Sequence, residues 1–324
     1  MKVYIAGIKV NNNYPDESTI DKTTHVINLL NLIYKDAKIS LGEDAVVIVI
    51  LQEYALTPKA IPVDDKKLSI KAFREALAAY KNMILIPGSY SAYEKYAMDE
   101  RGVRKLEKLD DNFKNIVKRG IVSDTLFTRI FSKHERAKQA EQVLNYTYIK
   151  NTAYIMTALQ KYHHIKAAPI VEEYMYPGKV KGNVRYYIGK DDFIKHVSIN
   201  DLSLDAGIFI CYEHAKMNYD ALLKHENPPL LHVIVSASIQ MNDNKLIGAL
   251  TVQMDKTNGL VVVKSNKHHR ASEIETVVAN IYEVGMSGIA QSVCVRNIDE
   301  PVLPEKTATT TGLNPDSKPS ALFM

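Results

Sequence analysis

Cysteine is scarce in this chain, with only Cys211 and Cys294 among 324 residues. Neither belongs to a C-x-x-C pair, so a disulfide scaffold is excluded and a reducing, cytoplasmic setting is expected. Charge of one sign is also missing: 41 basic and 37 acidic residues leave a formal net charge of +4. Such a balance supplies no electrostatic case for an acidic partner. No apolar run reaches the length of a membrane span, and MKVYIAGIKVNNN turns polar too soon for a signal peptide. The expectation is a protein with no membrane partner.

What is present suffices for a large core, since 46% of the chain is hydrophobic. Val3 to Val10 reads as a strand, and Asp21 to Lys35 carries a helical apolar stripe. Ala45 to Leu51, AVVIVIL, is continuously apolar and β-branched, as in a strand covered on both faces. A helix over Asp65 to Tyr80 and a strand over Asn82 to Ile86 follow, so the order is that of a layered α/β protein. Glu94 to Lys118 is dense in charge, and Ser132 to Leu144 reads as a further helix before a strand over Tyr146 to Leu159. Strands are also expected at Leu231 to Ser236, Leu260 to Val263 and Ala290 to Val295, the last holding Cys294 as a small core residue. From Lys306 the sequence turns to Thr, Ser, Pro and Gly, which predicts a flexible tail over 306–324.

Three polar residues follow apolar strands or turns: Glu53 after AVVIVILQ, Lys166 in KYHHIKAAP, and Cys211 in GIFICYEH. Strand ends carry sites in layered α/β proteins. A carboxylate can take a thiol proton, and an ammonium can stabilise a thiolate or an oxyanion. Taken one at a time, each has a plain structural account: a packed thiol, a solvated or capping Glu, a surface Lys. The paired histidines His163-His164 and His268-His269 have no acidic or thiol pattern beside them, so neither a metal nor a cofactor is expected. Lys264 and Lys267 to Arg270 make a short basic patch without an aromatic platform, and no nucleic-acid partner is expected.

Five stretches in order, VVIVILQEYAL, ILIPGSY, Asn151-Thr-Ala leading to Lys166-x-x-Pro169 and Glu173, GIFICYEH, and VIVSAS, resemble the carbon–nitrogen hydrolase, or nitrilase-like, superfamily. The resemblance covers roughly residues 1 to 270 and implies a four-layer α-β-β-α sandwich, a single domain over 1–305, and a homodimer or higher homo-oligomer. It also implies cleavage of a non-peptide carbon–nitrogen bond in a small amide-like substrate through a cysteine thioester. Glu53 would be the base, Lys166 and the Tyr212 backbone N–H the oxyanion donors, and Cys211 the nucleophile. Glu173 would be a supporting carboxylate, with Glu172 as its stand-in if the turn shifts, and Glu213 would position the Cys211 loop. Alternatives are a nitrilase or N-carbamoyl hydrolase, or a diverged member serving as a binding scaffold.

The sequence departs from that pattern in several places. Gln52 stands where relatives have Pro, and Lys161 competes with Lys166 for the lysine role. Charged residues over about 92–145 form an insertion, and the Arg-Ala-x-Glu-Asn helix is missing from Gln240 to Asn258.

Overall fold

The computed structural model describes residues 1–10, 18–57, 60–97, 145–166, 183–186, 193–199, 202–224, 227–266, 268–284, 289–290 and 293–297, with positions 111, 115, 118 and 119. Most of the expected insertion, the helix over Ser132 to Leu144, the turn holding Pro169, Glu172 and Glu173, and the tail over 306–324 lie outside them.

Two discrete mixed sheets carry the fold. The larger has ten strands. Its centre is parallel: β14 (Thr276–Glu283), β1 (Lys2–Lys9), β2 (Val46–Leu51) and β4 (Met83–Ile86) run side by side. Antiparallel β6 (Asn145–Met156) follows, and β5 (Ser89–Ala97) and β7 (Lys161–Ile165) pair with it. β3 (Ile61–Pro62), β8 (Asn183–Tyr186) and β15 (Ile289–Ala290) complete it. The smaller sheet has six strands in the order β16 (Val293–Asn297), β13 (Gly259–Lys264), β12 (Leu250–Asp255), β11 (Leu231–Ser236), β10 (Leu202–Ile210) and β9 (Ile194–Ile199).

The unbroken apolar run of β2 follows from its position. Val46, Ile48 and Ile50 enter a core shared with Ile208, Val233, Val252 and Val262 of the smaller sheet. Val47, Val49 and Leu51 face the other way, toward Val26, Leu30, Ile33 and Phe73 of two long helices. These are α1 (Thr19–Leu41) and α2 (Val63–Leu77). A capping box starts α1: Ser18 accepts from the Asp21 N–H, and the Asp21 carboxylate accepts from the Ser18 N–H.

The smaller sheet lacks an equivalent long-helix cover among the described residues. It carries α3 (Tyr212–Lys216) and α4 (Tyr219–Leu223), five residues each. Where a further helix was conceivable, Asn242-Asp-Asn makes a 3-10 turn at Asp243–Lys245, and β-branched, alternating LTVQMD continues as β12. The expected four-layer α-β-β-α sandwich is therefore corrected: the molecule is two discrete sheets connected by helices, and among the described residues the long helices lie on the larger sheet. The resemblance that implied the sandwich falls with it.

Candidate functional site

Glu53 leaves the end of β2, bridged to Ser89, and its backbone N–H donates to the Ser236 carbonyl at 3.2 Å. That bond joins the carboxyl ends of strands from the two sheets. Gln52 supports the exit from β2. Its side-chain amide donates to the Val10 carbonyl at 3.0 Å and accepts from the Val10 N–H at 3.5 Å, extending the strand pairing by a side chain. Gly88 makes the approach of the next strand possible. It sits at φ +72°, and a Cβ there would lie 2.1 Å from the Gln52 carbonyl oxygen, closer than any side chain permits.

Lys166 follows β7, tied by its N–H to the Asn151 carbonyl at 2.9 Å. Its Nζ donates to Glu53 Oε1 at 3.1 Å, and both side chains are buried. Asn151 Nδ2 also donates to Glu53 Oε1, at 3.1 Å, and to the Tyr54 hydroxyl at 2.9 Å. Cys211 ends β10 and opens α3. Its N–H is bonded to the Val235 carbonyl at 2.8 Å, and its own carbonyl accepts from the His214 N–H at 3.0 Å. Cys211 is buried, and its thiol is hydrogen-bonded with Glu53.

Two non-glycine residues among those described have positive φ, Tyr54 at +57° and Cys211 at +48°, and both belong to this cluster. Left-handed backbone at a side chain with a Cβ is strained, and such strain persists where the surroundings hold it in place. Here the holding groups are visible. Glu213, fully buried, accepts from the Ile210 N–H at 2.8 Å and from His164 Nε2 at 2.9 Å. It thereby pins the Cys211 turn to β7. Ser236 donates to Asp255 at 2.6 Å, and Asp255 accepts from the Ile239 N–H at 3.2 Å, fixing the segment whose Ala237 N–H points at the Cys211 sulfur.

Glu53, Lys166 and Cys211 are thus neighbours, and Glu213 stands behind them. Tyr212 occupies the first position of α3, while Glu173 lies outside the described residues. Lys161 is exposed at the far end of β7 and takes no part. The backbone of Cys294 pairs with Val261 in the smaller sheet. Sequence reasoning missed the Asn151 side chain as a partner of Glu53, although its stretch was singled out. It also missed His164 as the buried partner of Glu213. An acid two residues past Cys211 and a histidine two before Lys166 were the available signals.

Burial pushes the Cys211 thiol up, and the Glu53 carboxylate pushes it further. Lys166 and the Ala237 N–H oppose them without prevailing. The balance favours the protonated thiol over the thiolate. Among the described residues no group of three or more His, Cys, Asp or Glu is arranged to hold a metal ion. No helix of the described residues is long and apolar enough to cross a membrane.

The expected carbon–nitrogen hydrolase with a cysteine nucleophile is accordingly corrected. Its four-layer sandwich is replaced by two discrete mixed sheets, and Cys211 is the one cysteine whose side chain lies among the described residues. No family model matches the chain, and no curated protein matches it.

Proposed function

We propose that the Glu53–Lys166–Cys211 cluster is a recognition site for a small amide-like molecule, and that the protein acts by binding it. The observation that carries this reading is the buried Lys166–Glu53 pair at the one place where both left-handed side chains gather. A buried ion pair gains little stability over apolar packing, because desolvating two charges offsets their attraction. Its presence beside strained backbone therefore favours a recognition role over a structural one.

The chemistry selects the ligand class. A carboxylate only accepts hydrogen bonds and an ammonium only donates them. An amide offers both complements on adjacent atoms, its N–H toward Glu53 and its carbonyl toward Lys166. Being neutral, it adds no charge to a balanced buried pair. A thiol beside the two presents a small, weakly polar wall.

Calorimetric titration of the full chain with short aliphatic amides, N-carbamoyl compounds and esters of matched shape tests this. Amides should bind and esters should bind more weakly, since an ester has no N–H to donate toward Glu53. Glu53→Gln and Lys166→Met should each weaken amide binding by about tenfold or more, roughly 1.4 kcal/mol. Equal affinity for ester and amide, or no effect of the substitutions, would overturn the reading. So would release of ammonia that disappears in Cys211→Ala, which would put turnover in place of binding.

A further inference from the structure

On the opposite face of the larger sheet, a cleft of about 390 Å³ opens between α2 and the β6–β7 hairpin. Its polar walls are Lys66, Lys67, Lys71 and Arg74 from the helix, and Tyr154 and Lys161 from the hairpin. The helix contributes two adjacent rows at four-residue spacing, so one face presents the basic groups together. Glu75 is the lone acid of the lining. Lys67 is paired with Asp64 at 2.8 Å, and Lys71 lies 3.8 Å from Glu75. Lys66, Arg74 and Lys161 have no ion-pair partner among the described residues.

Lys66 sets this cleft apart from an ordinary charged helix face. Its residue is only 9% exposed, yet it lines the cleft. Burial first, and then the charge of Lys150, push its ammonium down to about 8. The neighbouring Lys67 and Lys161 act in the same direction, and Glu94, itself shared with Lys150 at 4.0 Å, opposes them. An interior that gathers cations around a desolvated ammonium leaves a site for anionic charge. One carboxylate would answer one of three unmatched cations. A phosphoryl group brings two charges and several acceptor oxygens to the same volume.

We propose that this cleft is a binding site for a small phosphoryl-bearing anion, with Lys66 at its floor and Arg74 and Lys161 on its two walls. The site is independent of the Glu53 cluster. On β6, Asn151 turns toward Glu53 while Tyr154 packs in the helix-side core.

The test is titration of the full chain with inorganic phosphate, inorganic pyrophosphate and a short single-stranded oligonucleotide, followed by calorimetry and phosphorus NMR. Saturable one-to-one binding is expected for pyrophosphate, with phosphate weaker. Lys66→Met and Lys161→Met should each reduce it by about tenfold or more. Lys35→Met on α1 should not change it. Removal of a desolvated ammonium should leave the melting temperature unchanged or raise it, which separates lost binding from unfolding. If Lys66→Met does not fold, Lys161→Met on the exposed wall reads the same outcome. Unaltered affinity in the variants, no saturable pyrophosphate binding, or binding of the oligonucleotide alone would overturn the proposal.

Discussion

At Cys211 the controlling quantities are burial and two neighbouring charges of opposite sign. Glu53 raises the thiol through its negative charge, whereas Lys166 lowers it. Replacing Glu53 by Gln keeps the shape and removes the charge, so the thiol should ionise at lower pH, by about one unit or more. Lys166→Met should move it the other way. The pH dependence of mixed-disulfide formation with a small methanethiosulfonate reagent, which releases methanesulfinate, measures both, and identical profiles in the two variants would show that the charges do not reach the sulfur. The three side chains were legible in the sequence because each follows an apolar strand or turn. Their backbone was not. Neither the left-handed Tyr54 nor the left-handed Cys211 carries a local signal, since glycine is the residue that normally marks such a position. Asn151 escaped as a partner of Glu53 because their contact spans 98 positions and depends on β6 lying beside β4 and β5.

The short helix α3 shows how one element can be held by buried neutral polar groups. His214 accepts from the Asn242 N–H through Nε2 at 3.0 Å, leaving Nδ1 to donate to the Tyr219 hydroxyl at 3.0 Å. Burial, aided by Lys245, pulls the imidazole down to about 4 from 6.5. The unfolded chain therefore binds a proton at this histidine between pH 6.5 and 4 that the folded chain refuses. Its contribution to stability should be intact above 6.5 and fall by about 3 kcal/mol as pH drops to 4. Urea melts across that window should show the slope, and His214→Gln should flatten it. His232, buried against the same cluster and likewise held neutral, adds to the loss in the same direction. Elements with a clear period were readable: β2 and β4 from continuous apolar runs, and α1 and α2 from helical stripes. The strand β14, TVVANIYE, near one edge of the larger sheet, was not, because it is interrupted by Ala and Asn and takes its place by pairing with β1 across the whole chain. The thin cover of the smaller sheet was half visible, in the missing helix around Gln240 to Asn258.

At the scale of the whole molecule, two sheets share one apolar interior, and polar contacts among the described residues also join them. One is the Glu53 N–H on the Ser236 carbonyl, and another is the buried His164–Glu213 contact, which ties β7 of the larger sheet to the turn after β10 of the smaller. Apolar packing between sheets is non-directional, so it fixes their separation better than their register. The polar links supply the direction. Glu213→Ala should therefore do more than open a small cavity. It leaves the Ile210 N–H and the His164 ring nitrogen buried and unmatched, at a cost of about 3 kcal/mol. It also frees the strained Cys211 turn to relax. Glu213→Gln keeps one acceptor oxygen for the Ile210 N–H and should lose roughly half as much. Hydrogen exchange separates this from simple loss of packing: faster exchange in Glu213→Ala should appear together at the ends of β7 and β10, which belong to different sheets. Faster exchange confined to α3 would mean that Glu213 serves its own helix alone, and the two sheets would then be registered by their apolar faces.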